Sequence, residues 1–170
     1  SEHVEDLEFL TRELGVRWLW SGLHPVAELE AIPWMPKKRY VIMRRYLPTR
    51  GALAHYMMKS TATVQANLDF GDEDDMGHKL RTSMGLSSLV TALFANSPAG
   101  APGLGPVPST AVTRSWRWRV WNDTDPDRCG LLPWVFEGDS PTYEQWVDYA
   151  LDVPMFLLEK QGQIIDMAGR

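Results

Sequence analysis

Cysteine is almost absent from this chain. One residue of that type, Cys129, stands in 170, which excludes a disulfide within the chain and any metal cluster built on several thiolates. Long apolar runs are missing too: none reaches the roughly 18 to 20 residues that a membrane helix requires, so no membrane partner is expected. The opening residues SEHVEDLEF are too acidic for a secretory or transit signal and predict a cytoplasmic protein. There is no Walker A loop, GxGxxG, HExxH or GxSxG sequence. The common routes to phosphate binding and hydrolysis are therefore excluded, and any phosphate would be held by arginines and a metal.

Charge is present but unevenly placed. Within a net charge of -5, the stretch from Lys37 to Arg50 holds Lys37, Lys38, Arg39, Arg44, Arg45 and Arg50 with no acid, and Arg114, Arg117 and Arg119 follow later. Anionic partners fit such clusters. The compensating acids at 69–75 and in the first thirteen residues argue against the uniformly basic surface of a nucleic-acid binder. A hydrophobic content of 44% supports a single domain over 1–170 with a real core. Serine at position 1 and an end directly after an apparent hairpin strand point to part of something larger.

The strongest periodic signal lies at Thr61 to Phe70. Ala62, Val64, Ala66, Leu68 and Phe70 alternate with Thr61, Thr63, Gln65, Asn67 and Asp69, the period of a strand. Asn and Asp are poor strand formers, so the polar face is either a solvated sheet surface or a hydrogen-bonding lining for a polar ligand. VRWLWS at 16–21, SWRWRVW at 115–121 and the stretch from Leu131 to Phe136 also predict extended structure, and Met155 to Asp166 predicts a hairpin through Gln161-Gly162. On a strand at 115–121, Arg117 and Arg119 share one face and repel unless an anion lies between them.

Helical spacing predicts four further elements. Val4, Leu7, Leu10 and Leu14 form the first, ended by Gly15; Tyr40, Met43, Tyr46 and Leu47 mark a second, stopped by Pro48. Asp72 caps the longest, with apolar positions Met76, Leu80, Met84, Val90 and Phe94. Pro141 opens the last, whose inward face is Tyr143, Trp146, Val147, Ala150 and Leu151. Residues 99–113 are a Gly, Pro and Ala linker, either functional or mobile, and His24 before Pro25 reads as a turn residue. The class is α+β, with a mostly antiparallel sheet covered by helices on one face.

Five blocks, MPKKRYVIMRRYLP at 35–48, MMKSTATVQANLDF at 57–70, TALFANSP at 91–98, DPDRCGLLPWVF at 125–136 and WVDYALDVPMF at 146–156, together resemble the plant and proteobacterial type of glutamate-cysteine ligase. The resemblance implies a fold like the glutamine synthetase catalytic domain and an enzyme dependent on ATP and Mg2+. Its substrates would be L-glutamate and L-cysteine, joined through γ-glutamyl phosphate to γ-glutamylcysteine for glutathione biosynthesis.

It further implies Gln65 at the metal, Thr61, Thr63 and Asn67 around glutamate, and Arg117 and Arg128 as catalytic cations. Tyr149 and Phe156 would stand beside cysteine, with Arg39 and Arg44 as weaker candidates. The family's acidic metal ligands lie mostly on strands before this region, so an N-terminal portion of the same protein is an implied partner and the isolated chain is expected to be inactive. Two other readings remain open: a non-catalytic binder of amino acid or nucleotide, and a polyanion-binding module using the WRWR stretch.

Overall fold

The computed structural model describes residues 2–104 and 115–167. In chain order the elements are α1 (Glu2–Leu14), α2 (Lys38–Tyr46), α3 (Ala54–Ser60), α4 (Glu73–Leu93), α5 (Trp116–Asn122), α6 (Tyr143–Asp152), β1 (Leu157–Lys160) and β2 (Gln163–Asp166). Short 3-10 turns occupy Leu29–Ala31, Leu47–Thr49 and Pro133–Phe136. The α+β class holds, but the sheet is far smaller than the alternation predicts. Among the described residues it is the two-stranded antiparallel β1–β2 hairpin, with Leu157 opposite Asp166 and Lys160 opposite Gln163. Its turn is the expected one: Gln161 and Gly162 both take positive φ, 52° and 74°, as a two-residue type I′ connection requires.

Four expected extended segments differ. Residues 16–21 and 62–70 form no ladder, and only Leu23 and Thr61 make an isolated antiparallel bridge. Alternation reports two environments for the side chains; it does not supply the neighbouring strand that a ladder needs. The third, SWRWRVW, is helical. Trp116 and Val120 stand four apart and are both fully buried, and the Ser115 side chain caps the helix by accepting from the Trp118 amide at 3.2 Å. Burial at i and i+4 together with the cap outweighs the strand preference of Trp and Val. Leu131 to Phe136 likewise turns at Pro133 into a 3-10 segment instead of running extended.

The helices follow their sequence signals more closely. Gly15 ends α1 with φ 62°, the left-handed position that favours glycine. The Asp72 side chain caps α4 through the Asp75 amide at 2.9 Å. Pro48 sits inside the 3-10 turn that continues α2, and α6 begins after Thr142 through a Thr142–Gln145 capping box, two residues later than Pro141 suggests. The His24 Nδ1 accepts from the Ala27 amide at 3.0 Å, a turn role.

Among the described residues, Leu23, Leu104, Trp116 and Val120 form a buried hydrophobic cluster, with Leu53, Tyr56, Met57 and Ala101 packed around it. The first part of the Gly, Pro and Ala segment therefore contributes to the core, and Tyr56 ties it down by donating to the Pro102 carbonyl at 2.8 Å. The rest of the linker expected at 99–113, residues 105–113, lies outside the described residues. Two expected inward faces stay uncovered: Tyr143, Trp146, Val147 and Leu151 on α6, and Val90 and Phe94 at the end of α4, are all exposed.

The N-terminal half of α4 is instead fastened to the segment before α6. The Arg81 guanidinium donates to the carbonyls of Val135, Glu137, Gly138 and Asp139 at 2.6–3.2 Å. Gly77 lies so close to this segment that a Cβ there would stand 2.5 Å from the Pro141 carbonyl oxygen. In an open helix Gly→Ala gains about 1 kcal/mol. Here the clash with backbone reverses the sign, and Gly77→Ala is expected to cost about 1–3 kcal/mol, measured by denaturant unfolding of the full-length protein. An unchanged or raised stability would contradict this packing.

Candidate active site

Thr61, Thr63, Gln65 and Asn67 follow the end of α3, and Arg117 on α5 reaches the start of this segment at Ala62. The anchor is the Leu23–Thr61 bridge, where the His24 amide donates to Ser60 O at 2.8 Å and the Ala62 amide to Gly22 O at 3.1 Å. Arg117 Nε then donates to the Ala62 carbonyl at 2.9 Å. Its own backbone is fixed by Ser97, buried at 2% exposure, whose hydroxyl accepts from the Arg117 amide at 3.0 Å and whose carbonyl accepts from Trp116 at 3.0 Å. Gly22 leaves room for this crossing: a Cβ there would stand 2.6 Å from Asn96 Oδ1 and 3.2 Å from Arg117 Cδ.

Arg117 has no ion pair among the described residues, and burial alone draws its guanidinium down from the ordinary arginine range. A partly desolvated cation without a carboxylate favours an incoming anion. Arg119 does not share the task. On a helix, positions two apart point to opposite sides, and Arg119 lies over the Trp116 ring at 4.8 Å while Arg117 lies over Trp121 at 5.5 Å. Of the neighbouring polar groups, the Thr61 hydroxyl is spent on Met57 O at 2.8 Å and the Thr63 hydroxyl donates to Val64 O at 3.1 Å. Gln65 Nε2 donates to Asn67 Oδ1 at 2.9 Å. That leaves the Gln65 carbonyl and the Asn67 amino group without a partner among the described residues.

Arg128, Tyr149 and Phe156 gather elsewhere, around the loop after α5. Arg128 Nη1 donates to Asp125 Oδ2 at 2.6 Å and Nη2 to the Pro154 carbonyl. Its guanidinium lies over Phe156 at 4.6 Å and Tyr46 at 5.7 Å. Asp125 is 1% exposed, with Arg50 Nε at 3.7 Å from its other oxygen. Arg128 is thus already neutralised by a buried carboxylate. It lines a cavity of about 480 Å³ with Arg39, Met43 and Phe156. Tyr149 donates to Asp127 O at 3.0 Å and lines a second cavity of about 300 Å³ with Cys129 and Trp134. Burial pushes the Cys129 thiol above its ordinary range.

No hydrogen bond or ion pair among the described residues joins these two groups. Arg44 lies over the Trp34 ring at 4.6 Å. Sequence reasoning overlooked Ser97, Gly22 and Asp125, all of which position arginines. The acid three residues before Arg128 was a usable signal; the other two residues act across long sequence separations that no local pattern exposes.

The sequence model of glutamate-cysteine ligase family 2 matches residues 1–167. The chain belongs to this family. It is 44% identical to the chloroplastic glutamate-cysteine ligase of Brassica juncea, covering 99% of this chain and 32% of that protein. With the chloroplastic enzymes of Nicotiana tabacum and Arabidopsis thaliana the identities are 45% and 44%, covering 99% of this chain and 31% of each. The chain thus spans about a third of the length of the curated relatives it matches. Their chloroplastic description overturns the cytoplasmic location expected from the acidic opening residues. A chain covering a third of its relatives carries no information about a leader in its first residues.

Magnesium does not fit the residues present. The polar side of 61–69 offers hydroxyls, two carboxamides and one carboxylate, and no three His, Cys, Asp or Glu side chains gather among the described residues. A hard divalent cation needs more anionic oxygen than that. Of the two tryptophans in the WRWR stretch, Trp116 lies in the core and is closed to a stacking base, whereas Trp118 is exposed.

Proposed function

We propose that this chain supplies part of the active site of an ATP-dependent glutamate-cysteine ligase making γ-glutamylcysteine for glutathione biosynthesis. The observation that carries the reading is the family match over residues 1–167. A glutamate γ-carboxylate oxygen attacks the terminal phosphorus of ATP and ADP leaves. The cysteine nitrogen then attacks the acyl carbon, inorganic phosphate departs and the amine proton passes to solvent.

Arg117, a partly buried cation with no ion pair among the described residues, grips glutamate or the transferring phosphoryl oxygens with the donors it has left. Gln65 and Asn67 orient the bound groups, and Thr61 and Thr63 hold the backbone that presents them. Arg128 acts through the Tyr46–Phe156 wall, with Tyr149 and Phe156 shaping the cavities beside it. In this reading the polar strand is the floor of a glutamine synthetase-like sheet, and the carboxylates for magnesium come from the remaining two thirds of the ligase.

The test is γ-glutamylcysteine formation from glutamate, cysteine, ATP and Mg2+. The full-length protein is expected to give product and the 170-residue chain none. Absence of product from the full-length protein would overturn the proposal.

A further inference from the structure

Residues 96 and 97 are held from two sides. The Gly22 amide at 3.3 Å and the Ser21 hydroxyl at 3.4 Å both donate to the Asn96 carbonyl, and Ser97 accepts from the Trp116 and Arg117 amides at 3.0 Å each. The backbone of Asn96 is thereby fixed between residues 21–22 and the start of α5. Its side chain takes no part in this scheme. Asn96 is exposed, and its carboxamide has no hydrogen-bond partner among the described residues. An anchored backbone carrying an uncommitted polar side chain is the arrangement of a preorganised binding group.

The carboxamide lies beside Arg117. A Cβ placed on Gly22 would stand 2.6 Å from Asn96 Oδ1 and 3.2 Å from Arg117 Cδ, so the two side chains border the same small space, and the lack of a side chain at Gly22 keeps it open. The residue type matters here. Aspartate has the same shape, but its charge would pair with the guanidinium and use up the cation. Asparagine leaves Arg117 unneutralised and adds N–H donors next to it. A neutral donor beside an unpaired cation is complementary to an oxyanion.

We infer that Asn96 is a further substrate-binding residue, its amino group donating to the same oxyanion that Arg117 takes through the donors it has left. The oxyanion is a carboxylate of glutamate or the terminal phosphate of ATP. Arg117 supplies the charge, and Asn96 fixes where the anion sits. The identity of the ligand rests on the proposed function; the choice of residue rests on the geometry around Gly22.

Steady-state kinetics of the full-length protein, with glutamate and ATP varied in turn, tests it beside thermal unfolding and calorimetric titration with L-glutamate. Asn96→Ala is expected to raise KM by about tenfold or more, the order set by one hydrogen bond to a charged group, with the unfolding temperature unchanged. A rise for glutamate alone assigns the carboxylate, and a rise for ATP alone assigns the phosphate. Asn96→Asp is expected to lose about tenfold more than Asn96→Ala on the same substrate, because the new carboxylate both claims Arg117 and repels the anion. An Asn96→Ala variant within about twofold of the parent for both substrates overturns the inference. Equal losses for Ala and Asp, or a loss that tracks unfolding, also overturn it, by making Asn96 a structural residue. Glutamate binding that Asn96→Ala abolishes, in a protein that makes no γ-glutamylcysteine, would refute the proposed reaction and leave Asn96 standing as a binding residue.

Discussion

Arg117→Met in the full-length protein is expected to lower kcat/KM for glutamate by about a hundredfold or more, the order lost when one preorganised donor to developing charge is removed. The expectation follows from how the guanidinium is used. Nε is committed to the Ala62 carbonyl, burial disfavours the charge, and no carboxylate among the described residues relieves it. The other donors have no hydrogen-bond partner among the described residues and can take an anion.

Arg117→Lys keeps the charge but not the planar fork, and should recover only a minor part of the loss. Stability is expected to fall by about 1 kcal/mol through the single lost backbone contact. Steady-state kinetics with glutamate varied, beside thermal unfolding, separates the two effects. A Met variant within about threefold of the parent would remove Arg117 from the reacting centre.

The second large effect is structural. Asp125→Asn is expected to destabilise the full-length protein by about 2–3 kcal/mol, toward the lower side of what an uncompensated buried charge costs because Arg128 is partly exposed. Asp125 accepts from Arg128 and from the Asp127 amide and faces Arg50; its loss strands Arg128, whereas Arg50 keeps its ion pair with Asp127. Combining Asp125→Asn with Arg128→Met should cost less than the sum of the two single changes, because the second removes the cation that the first strands. Strict additivity in denaturant unfolding would show that the pair is not coupled.

Helix ends were legible because their chemistry is local. Asp72, Gly15 and the Gln161-Gly162 turn each act within a few residues, and each does what its residue type predicts. The five blocks that resemble the ligase family were legible for a different reason: they are patterns of residues and need no fold. Strands fared worse. SWRWRVW has strand composition, yet Trp116 and Val120 meet the same core as Leu104 and the sequence-distant Leu23, a partnership that turned the segment into a helix.

The sequence by itself determined the helix caps, the hairpin turn, the acid-free basic run and the family, all of which depend on residue identity and short spacing. Tertiary structure decided which arginines are available. Arg128 is neutralised by Asp125 three residues before it, whereas Arg117 is held by Ser97 and the Ala62 carbonyl, both distant in sequence, at a place where no acid pairs with it among the described residues. It also decided that the alternation at 62–70 is not yet a sheet. A strand's face is written in its own residues, whereas its hydrogen-bond partners belong to other strands.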